Sequence, residues 1–147
     1  DGTSWTESTN LNSGHADAAG AGTQTAALIA GGEAPGTVGT CEKWDGTTWT
    51  EVNNLNTARY TCRGTGTSAL ALLIGGIIPP IVGVVEFWDG TSWTEVADLA
   101  TARDGVSQSS NGTTSAAMAA GGNVPPGTTA TEEWTSTSSA IKTFTAS

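Results

Sequence analysis

We predict an all-β fold for this chain of 147 residues. A seven-residue phrase, DGTSWTE, occupies residues 1–7 and 89–95, and the variant DGTTWTE occupies residues 45–51, so the sequence repeats every 44 residues. Short apolar runs alternate with glycine and proline, a pattern that is typical of strands and turns. The 20 glycines and the 13% content of charged residues leave no amphipathic helical stretch of useful length. We therefore expect a single domain of three repeats, spanning residues 1–147.

The repeat divides the chain into units 1–44, 45–88 and 89–134, followed by an extra segment at 135–147. Each unit contains a leucine, a glycine doublet and a closing tryptophan in the same order. The leucines are Leu11, Leu55 and Leu99, the doublets begin at Gly31, Gly75 and Gly121, and the closing tryptophans are Trp44, Trp88 and Trp134. Such a period is typical of stacked or radial repeats, in which each unit covers the apolar face of the next.

Four antiparallel strands are predicted in each unit, as the second unit illustrates. A first strand of small residues spans Ala58 to Arg63 and ends in a Gly-Thr turn. A second, apolar strand runs from Ala69 to Ile74 and ends at the glycine doublet. A loop of variable sequence leads to the third strand, which ends at the closing tryptophan. Asp-Gly then turns the chain, and the tryptophan of the phrase begins the fourth strand.

The Asp-Gly turn makes a geometric prediction about side chains. Asp-Gly is a strong signal for a hairpin of type I′, which needs positive φ at both central residues. Whether the loop has two or four residues, Glu42, Trp44 and Trp49 lie on one face, because side chains alternate along a strand. One sheet cannot bury two such rings, so we expect the next repeat to cover them.

These landmarks resemble the kelch repeat. The likeness rests on the glycine doublet, the aromatic residue that closes the third strand, the tryptophan that opens the fourth, and the arginines Arg59 and Arg103 that follow it. Kelch repeats form the blades of galactose-oxidase-like β-propellers, so the resemblance implies three four-stranded blades in this chain. The W-x-G-x-x-W-T-E pattern also resembles repeats of tail-fibre-like proteins from phages and marine metagenomes.

Three blades are too few for a closed propeller, since propellers use about 4 to 8. We therefore expect a homodimer that joins first and third blades into one six-bladed ring. In this hypothesis the N-terminal phrase, Ser4 to Thr9, pairs with Thr129 to Trp134 of the partner. In the rival hypothesis the C-terminal segment, Ala140 to Ala146, is the fourth strand of the third blade.

Charge excludes one class of partner. The net charge is −9, with five basic residues scattered along the chain, whereas nucleic-acid binding needs clustered lysine and arginine. Nine of the fourteen acids recur at equivalent positions of the repeats, which indicates structural roles. Nor does any apolar run reach the roughly 20 residues of a membrane span. We expect neither nucleic-acid binding nor a membrane span.

Catalytic groups are scarce. The resemblance to galactose oxidase would require a copper site of tyrosines and histidines, but the chain has one tyrosine, Tyr60, and one histidine, His15. We therefore expect no metal, no cofactor and no enzymatic activity. His15 occupies the repeat position of Arg59 and Arg103 and is interpreted as structural. The glutamates Glu42, Glu86 and Glu132 are expected to face these three cations across blade boundaries.

Cys41 and Cys62 occupy different positions of the repeat, so neither is required by it. Two buried thiols are the default interpretation, with a disulfide or half of a metal site as the alternatives.

The favoured function is a non-enzymatic binding or adhesion module, on a virion or outside the cell, that binds a cell-surface glycan or protein receptor. Its contacts are predicted in the variable loops after the glycine doublets, at Glu33 to Gly36, Ile77 to Gly83 and Asn123 to Thr128, because repeat frameworks vary where they bind. The candidate residues are Glu33, Ala34, Pro35, Ile77, Ile78, Pro79, Pro80, Asn123, Val124 and Pro125. The alternative is a structural spacer or oligomerisation module without a ligand.

Overall fold

The structure is a computed structural model that describes residues 2–108 and 112–136. Within this part the chain forms eleven strands in three antiparallel sheets and no helix, which confirms the all-β prediction. The first sheet contains β1 (Ala19–Thr23), β2 (Ala26–Ala30), β3 (Cys41–Trp44) and β4 (Trp49–Val52). The second contains β5 (Arg63–Gly66), β6 (Ala71–Ile77), β7 (Ile81–Trp88) and β8 (Trp93–Glu95). The third contains β9 (Ser107–Gln108), β10 (Ala116–Ala120) and β11 (Thr131–Thr135).

In the hairpin between the third and fourth strands, the pairing of the two tryptophans agrees with the prediction, but the type of turn does not. Trp44 pairs directly with Trp49, so the loop has four residues. The type I′ interpretation is wrong, because Gly46 has a φ of 100° while Asp45 is not among the residues with positive φ. Instead, Oδ1 of Asp45 accepts hydrogen bonds of 2.8 Å from the backbone amides of Thr47 and Thr48. The aspartate thus closes the turn with its side chain.

Two strand boundaries were predicted incorrectly. Residues 58–62 belong to the connection between sheets, and β5 begins only at Arg63. The reason is that Thr61 has a left-handed φ of 50°, which no strand accommodates. The second strand does not end at the glycine doublet, because β6 continues to Ile77 after a register irregularity between Ile74 and Gly76.

The sheets pack face to face in chain order. Leu28 and Cys41 of the first sheet form one core with Leu73, Trp88 and Trp93 of the second. The other face of the second sheet packs against the third in a separate core, whose buried residues are Leu72, Ile74, Val85, Val106, Ala117 and Ala119. The second and third sheets therefore present their tryptophan-bearing faces to the sheet before them. The prediction that the next repeat covers these rings is wrong, because the preceding sheet covers them.

The first strands of the three sheets lie side by side. A Cβ atom on Gly64 would come within 2.6 Å of the Gly20 carbonyl oxygen. Only glycine therefore allows β5 to lie this close to β1. Further along, the Gln108 side chain donates a hydrogen bond of 3.2 Å to the Gly64 carbonyl. This radial arrangement around the first strands is propeller-like, although the described residues do not form a closed ring.

The predicted C-terminal strand, Ala140 to Ala146, lies outside the described residues. The predicted N-terminal strand, Ser4 to Thr9, is described and forms no strand within the single chain.

Candidate functional site

A contact between a basic side chain and a glutamate ties down the connection that enters each sheet, and in the second sheet this contact is a fully buried ion pair. Nη1 of Arg59 lies 2.5 Å from Oε1 of Glu86, and both side chains are 0% exposed. Arg103 makes the same contact with Glu132 at 2.5 Å, and His15 lies 3.5 Å from Glu42. The predicted pairing is therefore confirmed.

The predicted location of these pairs was wrong in one respect. Arg59 lies on the connection that leads into the second sheet, and Glu86 lies in β7 of that same sheet, so the pair does not cross a boundary between blades. The arginine also donates to the carbonyls of Gly75 and Leu73, at 3.1 and 3.3 Å. It thereby ties the incoming connection to the strand that carries the glycine doublet.

Asparagine completes the surroundings of the glutamates in the first two sheets. The backbone and side-chain nitrogens of Asn56 each donate to Oε2 of Glu86 at 2.9 Å, and the same side chain donates to the Trp93 carbonyl at 2.8 Å. Around Glu42, burial acts to raise the pKa, but hydrogen bonds from Asn12 and Ser13 outweigh it and lower the pKa below its ordinary value. The partners of these carboxylates are structural groups of the chain itself.

The three predicted loops lie at one end of the sheets. Each loop begins with a β-bridge to the neighbouring connection, namely Ala16 to Glu33, Tyr60 to Ile77 and Asp104 to Asn123. The connections in turn bind one another, because the Thr61 amide donates to the Asp17 carbonyl and the Gly105 amide to the Thr61 carbonyl, at 2.9 and 3.1 Å. The loops are therefore neighbours on one continuous end, which we call the doublet end.

Exposure divides the candidate residues into two groups. Ala34, Pro35, Pro79, Pro80, Asn123 and Pro125 are exposed, whereas Glu33, Ile77, Ile78 and Val124 are half-buried. The predicted loop from Ile77 to Gly83 is too long, because Ile77 belongs to β6 and residues from Ile81 belong to β7. Its apolar side chains therefore lie largely on paired strands, and only residues 78–80 form the turn.

Sequence reasoning missed a buried carboxylate at the doublet end. Asp104 is 8% exposed, and within the described residues its Oδ1 atom has no hydrogen-bond partner, while Oδ2 lies 3.4 Å from the Thr61 hydroxyl. The equivalent positions hold Ala16 and Tyr60, so this column carries three unlike residues within a repetitive framework. The difference between these three residues, at one position of an otherwise regular repeat, could have pointed to Asp104 in the sequence.

A cavity at the opposite end was also missed. It has a volume of about 410 Å³ and lies among the turns between the first and second strands of all three sheets. Its lining includes the recurring Gly-Thr pairs at residues 22–23, 66–67 and 112–113, together with Leu70, which is 46% exposed. The recurrence of Gly-Thr at one repeat position was visible in the sequence, but its assembly around a cavity depends on how the sheets pack.

Three further predictions concern metal ligands, the two cysteines and membrane spans. Within residues 2–108 and 112–136, no three His, Cys, Asp or Glu side chains are grouped as metal ligands. Cys41 and Cys62 are free, buried thiols, and burial raises the pKa of Cys41 to about 11. The same described ranges contain no helix with the length and apolarity needed to cross a membrane.

Comparison with known proteins gives a fold likeness. No protein-family model and no curated protein matches the sequence. Among 115 solved chains that are similar, one is described as the structure of YjhT, with a TM-score of 0.72 and 12% sequence identity. The match covers 88% of this chain and 45% of the YjhT chain, so this chain spans less than half of that structure's length. At this identity the likeness is one of fold alone.

Proposed function

We propose that this chain is a non-enzymatic binding module of the β-propeller type, which contacts a cell-surface receptor, glycan or protein, through the doublet end. The observation that carries the proposal is the contrast between framework and loops. Tryptophans, glycine doublets and the contacts between basic residues and glutamates recur at matched positions, whereas the loop EAPG, the turn at residues 78–80 and the loop NVPPGT differ in sequence and length. Rigid scaffolds with variable loops are typical of binding proteins.

The composition of the loops supports contact with an uncharged surface. Glu33 is the single charged residue among the ten candidates, and prolines occur in all three loops. Proline restricts φ, so these loops lose little conformational freedom when they bind a partner. The exposed prolines thus offer a rigid apolar surface to a sugar ring or to a receptor side chain.

The proposed binding unit contains two copies of this chain in one six-bladed ring of kelch type, with the first sheet of each copy against the third sheet of the other. In the single chain the tryptophan-bearing face of the first sheet is less covered than that of the second, since Trp49 is half-buried whereas its counterpart Trp93 is buried. On the far face of the third sheet, Met118 is 41% exposed. These faces correspond to the two that join consecutive sheets within the chain.

The proposed function is tested by a glycan array and a cell-binding assay with loop variants. Ala34→Lys and Asn123→Lys change exposed residues at the doublet end, and Leu70→Ser changes an exposed residue at the opposite end as the matched control. We expect the two loop variants to lose at least tenfold in binding and the control to bind normally. If Leu70→Ser alone abolishes binding, the ligand occupies the cavity at the opposite end. If the intact ring binds neither glycans nor cells, the result favours the alternative, a structural spacer without a ligand.

A further inference from the structure

Among the described residues, a cavity lies between the second and third sheets at their outer edge. It has a volume of about 170 Å³ and is largely apolar, with Leu72, Val85, Leu99 and Trp134 in its lining. We call it the outer cavity. Ala97, on the connection from β8, also lines it.

The equivalent space between the first and second sheets is filled by a tryptophan. Trp93 is 5% exposed and lies 5.1 Å, between ring centroids, from Trp88. Its Nε1 atom donates a hydrogen bond of 3.1 Å to the Asn53 carbonyl. One repeat later, Asn53 corresponds to Ala97 and Trp88 to Trp134, which are the residues around the outer cavity.

In its described residues, the third sheet has the surroundings of such a ring but no second tryptophan. Nε1 of Trp134 donates to the Thr114 carbonyl at 2.9 Å, as Trp88 does to Ser68 at 3.2 Å, so the closing tryptophan has its usual orientation. Five residues after Trp134, where Trp93 follows Trp88, the sequence has Ser139, which lies outside the described residues. Among the described strands, none pairs with the outer edge of β11.

The chain also carries a tryptophan that has no neighbour to cover it. Trp5 occupies the repeat position of Trp49 and Trp93 and is 103% exposed. Just after it, the Thr9 hydroxyl donates to the Thr47 carbonyl at 3.0 Å, as Asn53 does to Thr91 at 2.7 Å. The exit of the phrase is therefore anchored on the first sheet as in the other repeats, and the phrase lies beside the tryptophan-bearing face of that sheet, where Trp5 lines one pocket with Trp44 and Trp49.

We propose that Trp5 of a second copy of this chain fills the outer cavity, and that the phrase around it adds a fourth strand to the third sheet along β11. By the register of the other hairpins, Trp5 lies opposite Trp134 and Thr6 opposite Glu133. The Trp5 indole donates to the Ala97 carbonyl. This inference rests on the two-copy ring of the proposed function and identifies the contact that closes it.

The occupant is a second copy because of the position of the phrase and the symmetry of the contact. The phrase of the same chain is attached to the first sheet, and the second sheet separates that sheet from the third. A two-fold arrangement buries two Trp5 rings in two outer cavities and adds a strand along the outer edge of β11 in each copy. Each copy then gives one strand and receives one.

Disulfide cross-linking between separately prepared chains tests the register. Chains with Thr6→Cys are mixed with chains with Glu133→Cys under mild oxidation, and we expect a covalent dimer. Glu7→Cys replaces Thr6→Cys as the matched control, because a shift of one residue moves the side chain to the other face of the strand. The native thiols are buried and do not compete. A missing cross-link, or equal yields with both partners, would overturn the inference.

A second experiment separates failure of this contact from failure of the ring. Trp5→Ala leaves the single chain folded, since Trp5 is fully exposed there, and is expected to raise the dimer dissociation constant at least 100-fold, because buried tryptophans dominate interfaces. Thr3→Ala is the matched control and should change the dimer dissociation constant less than threefold.

A dimer that persists in Trp5→Ala means that the ring closes by another contact. A cross-link that forms only after residues 137–147 are removed means that the C-terminal segment fills the cavity instead. Either result refutes the contact.

Discussion

Replacing Glu86 by glutamine removes the central charge of the most completely buried network in the structure. The carboxylate accepts hydrogen bonds from Asn56, Thr57 and Arg59, and neither Glu86 nor Arg59 is exposed. Glutamine has the shape of glutamate and keeps one acceptor oxygen. Its NH2 group, however, takes the place of Oε2 and puts two donors next to the two Asn56 nitrogens that donate to that oxygen.

The expected loss of stability follows from burial. Breaking a buried ion pair on one side leaves an uncompensated charge and costs about 3–5 kcal/mol. Glu95 provides the matched control, since it lies directly opposite Glu86 on β8 but is exposed. Exposed ionic contacts contribute about 0–1 kcal/mol, so Glu95→Gln should change the free energy of unfolding by no more than that.

The measurement is urea unfolding of the two variants and the original chain, followed by tryptophan fluorescence at a fixed protein concentration. We expect the unfolding midpoint of Glu86→Gln to fall well below that of Glu95→Gln, with similar slopes. Equal midpoints for the two variants would refute the structural role of the ion pair, and with it the interpretation that the connections are fixed by these pairs.

Three further predictions concern the same framework. Trp93→Ala should destabilise the fold by about 3–5 kcal/mol, the usual loss for a buried aromatic side chain; a thermal midpoint no lower than that of Thr94→Ala, an exposed neighbour, would argue against tryptophan packing between sheets. His15→Arg should stabilise the chain by about 0.5–2 kcal/mol, as restoring a repeat consensus commonly does. The reason is that Glu42 and the Gly31 carbonyl lie where Glu86 and the Gly75 carbonyl bind Arg59. A lower thermal midpoint than that of the original chain would contradict this. Because the pKa of Glu42 is lowered in the folded chain, its carboxylate contributes stability that is present above the ordinary pKa of 4.5 and is lost as pH falls through the lowered pKa. Between about pH 6 and pH 3, the urea midpoint should therefore fall less in Glu42→Gln than in the original chain. Identical pH profiles for the two proteins would contradict this role of Glu42.

The repetitive columns made much of the fold predictable. Because Trp44, Trp88 and their partners recur at one spacing, the shared face of Glu42, Trp44 and Trp49 and the pairing of Arg59 with Glu86 followed from alternation and charge alone. The resemblance to kelch repeats supplied the expectation of radially arranged sheets, and the propeller-like packing agrees with it in outline.

Other features depend on backbone conformations that residue patterns do not specify. The position of the glycine doublet predicts the end of a strand, but Gly75 and Gly76, with φ of 60° and 123°, lie within β6 at a register irregularity. The small residues before β5 predict a strand, whereas Thr61 has a left-handed φ that turns this connection. Local composition could not distinguish these cases.

The candidate sites were less predictable still. The doublet end could be proposed because its loops interrupt a regular framework. The cavity at the opposite end and the outer cavity arise from how whole sheets pack, and the isolated carboxylate oxygen of Asp104 depends on the path of a connection. Features of this kind follow from contacts between distant residues, which one sequence does not display.

The molar mass in solution shows whether two copies of the chain form one ring. Light scattering at micromolar concentration should give twice the chain mass of 14.7 kDa, and the Trp5→Ala variant should give the mass of a single chain under the same conditions. A single-chain mass for the unaltered protein would contradict the two-copy ring and the proposed role of Trp5 together.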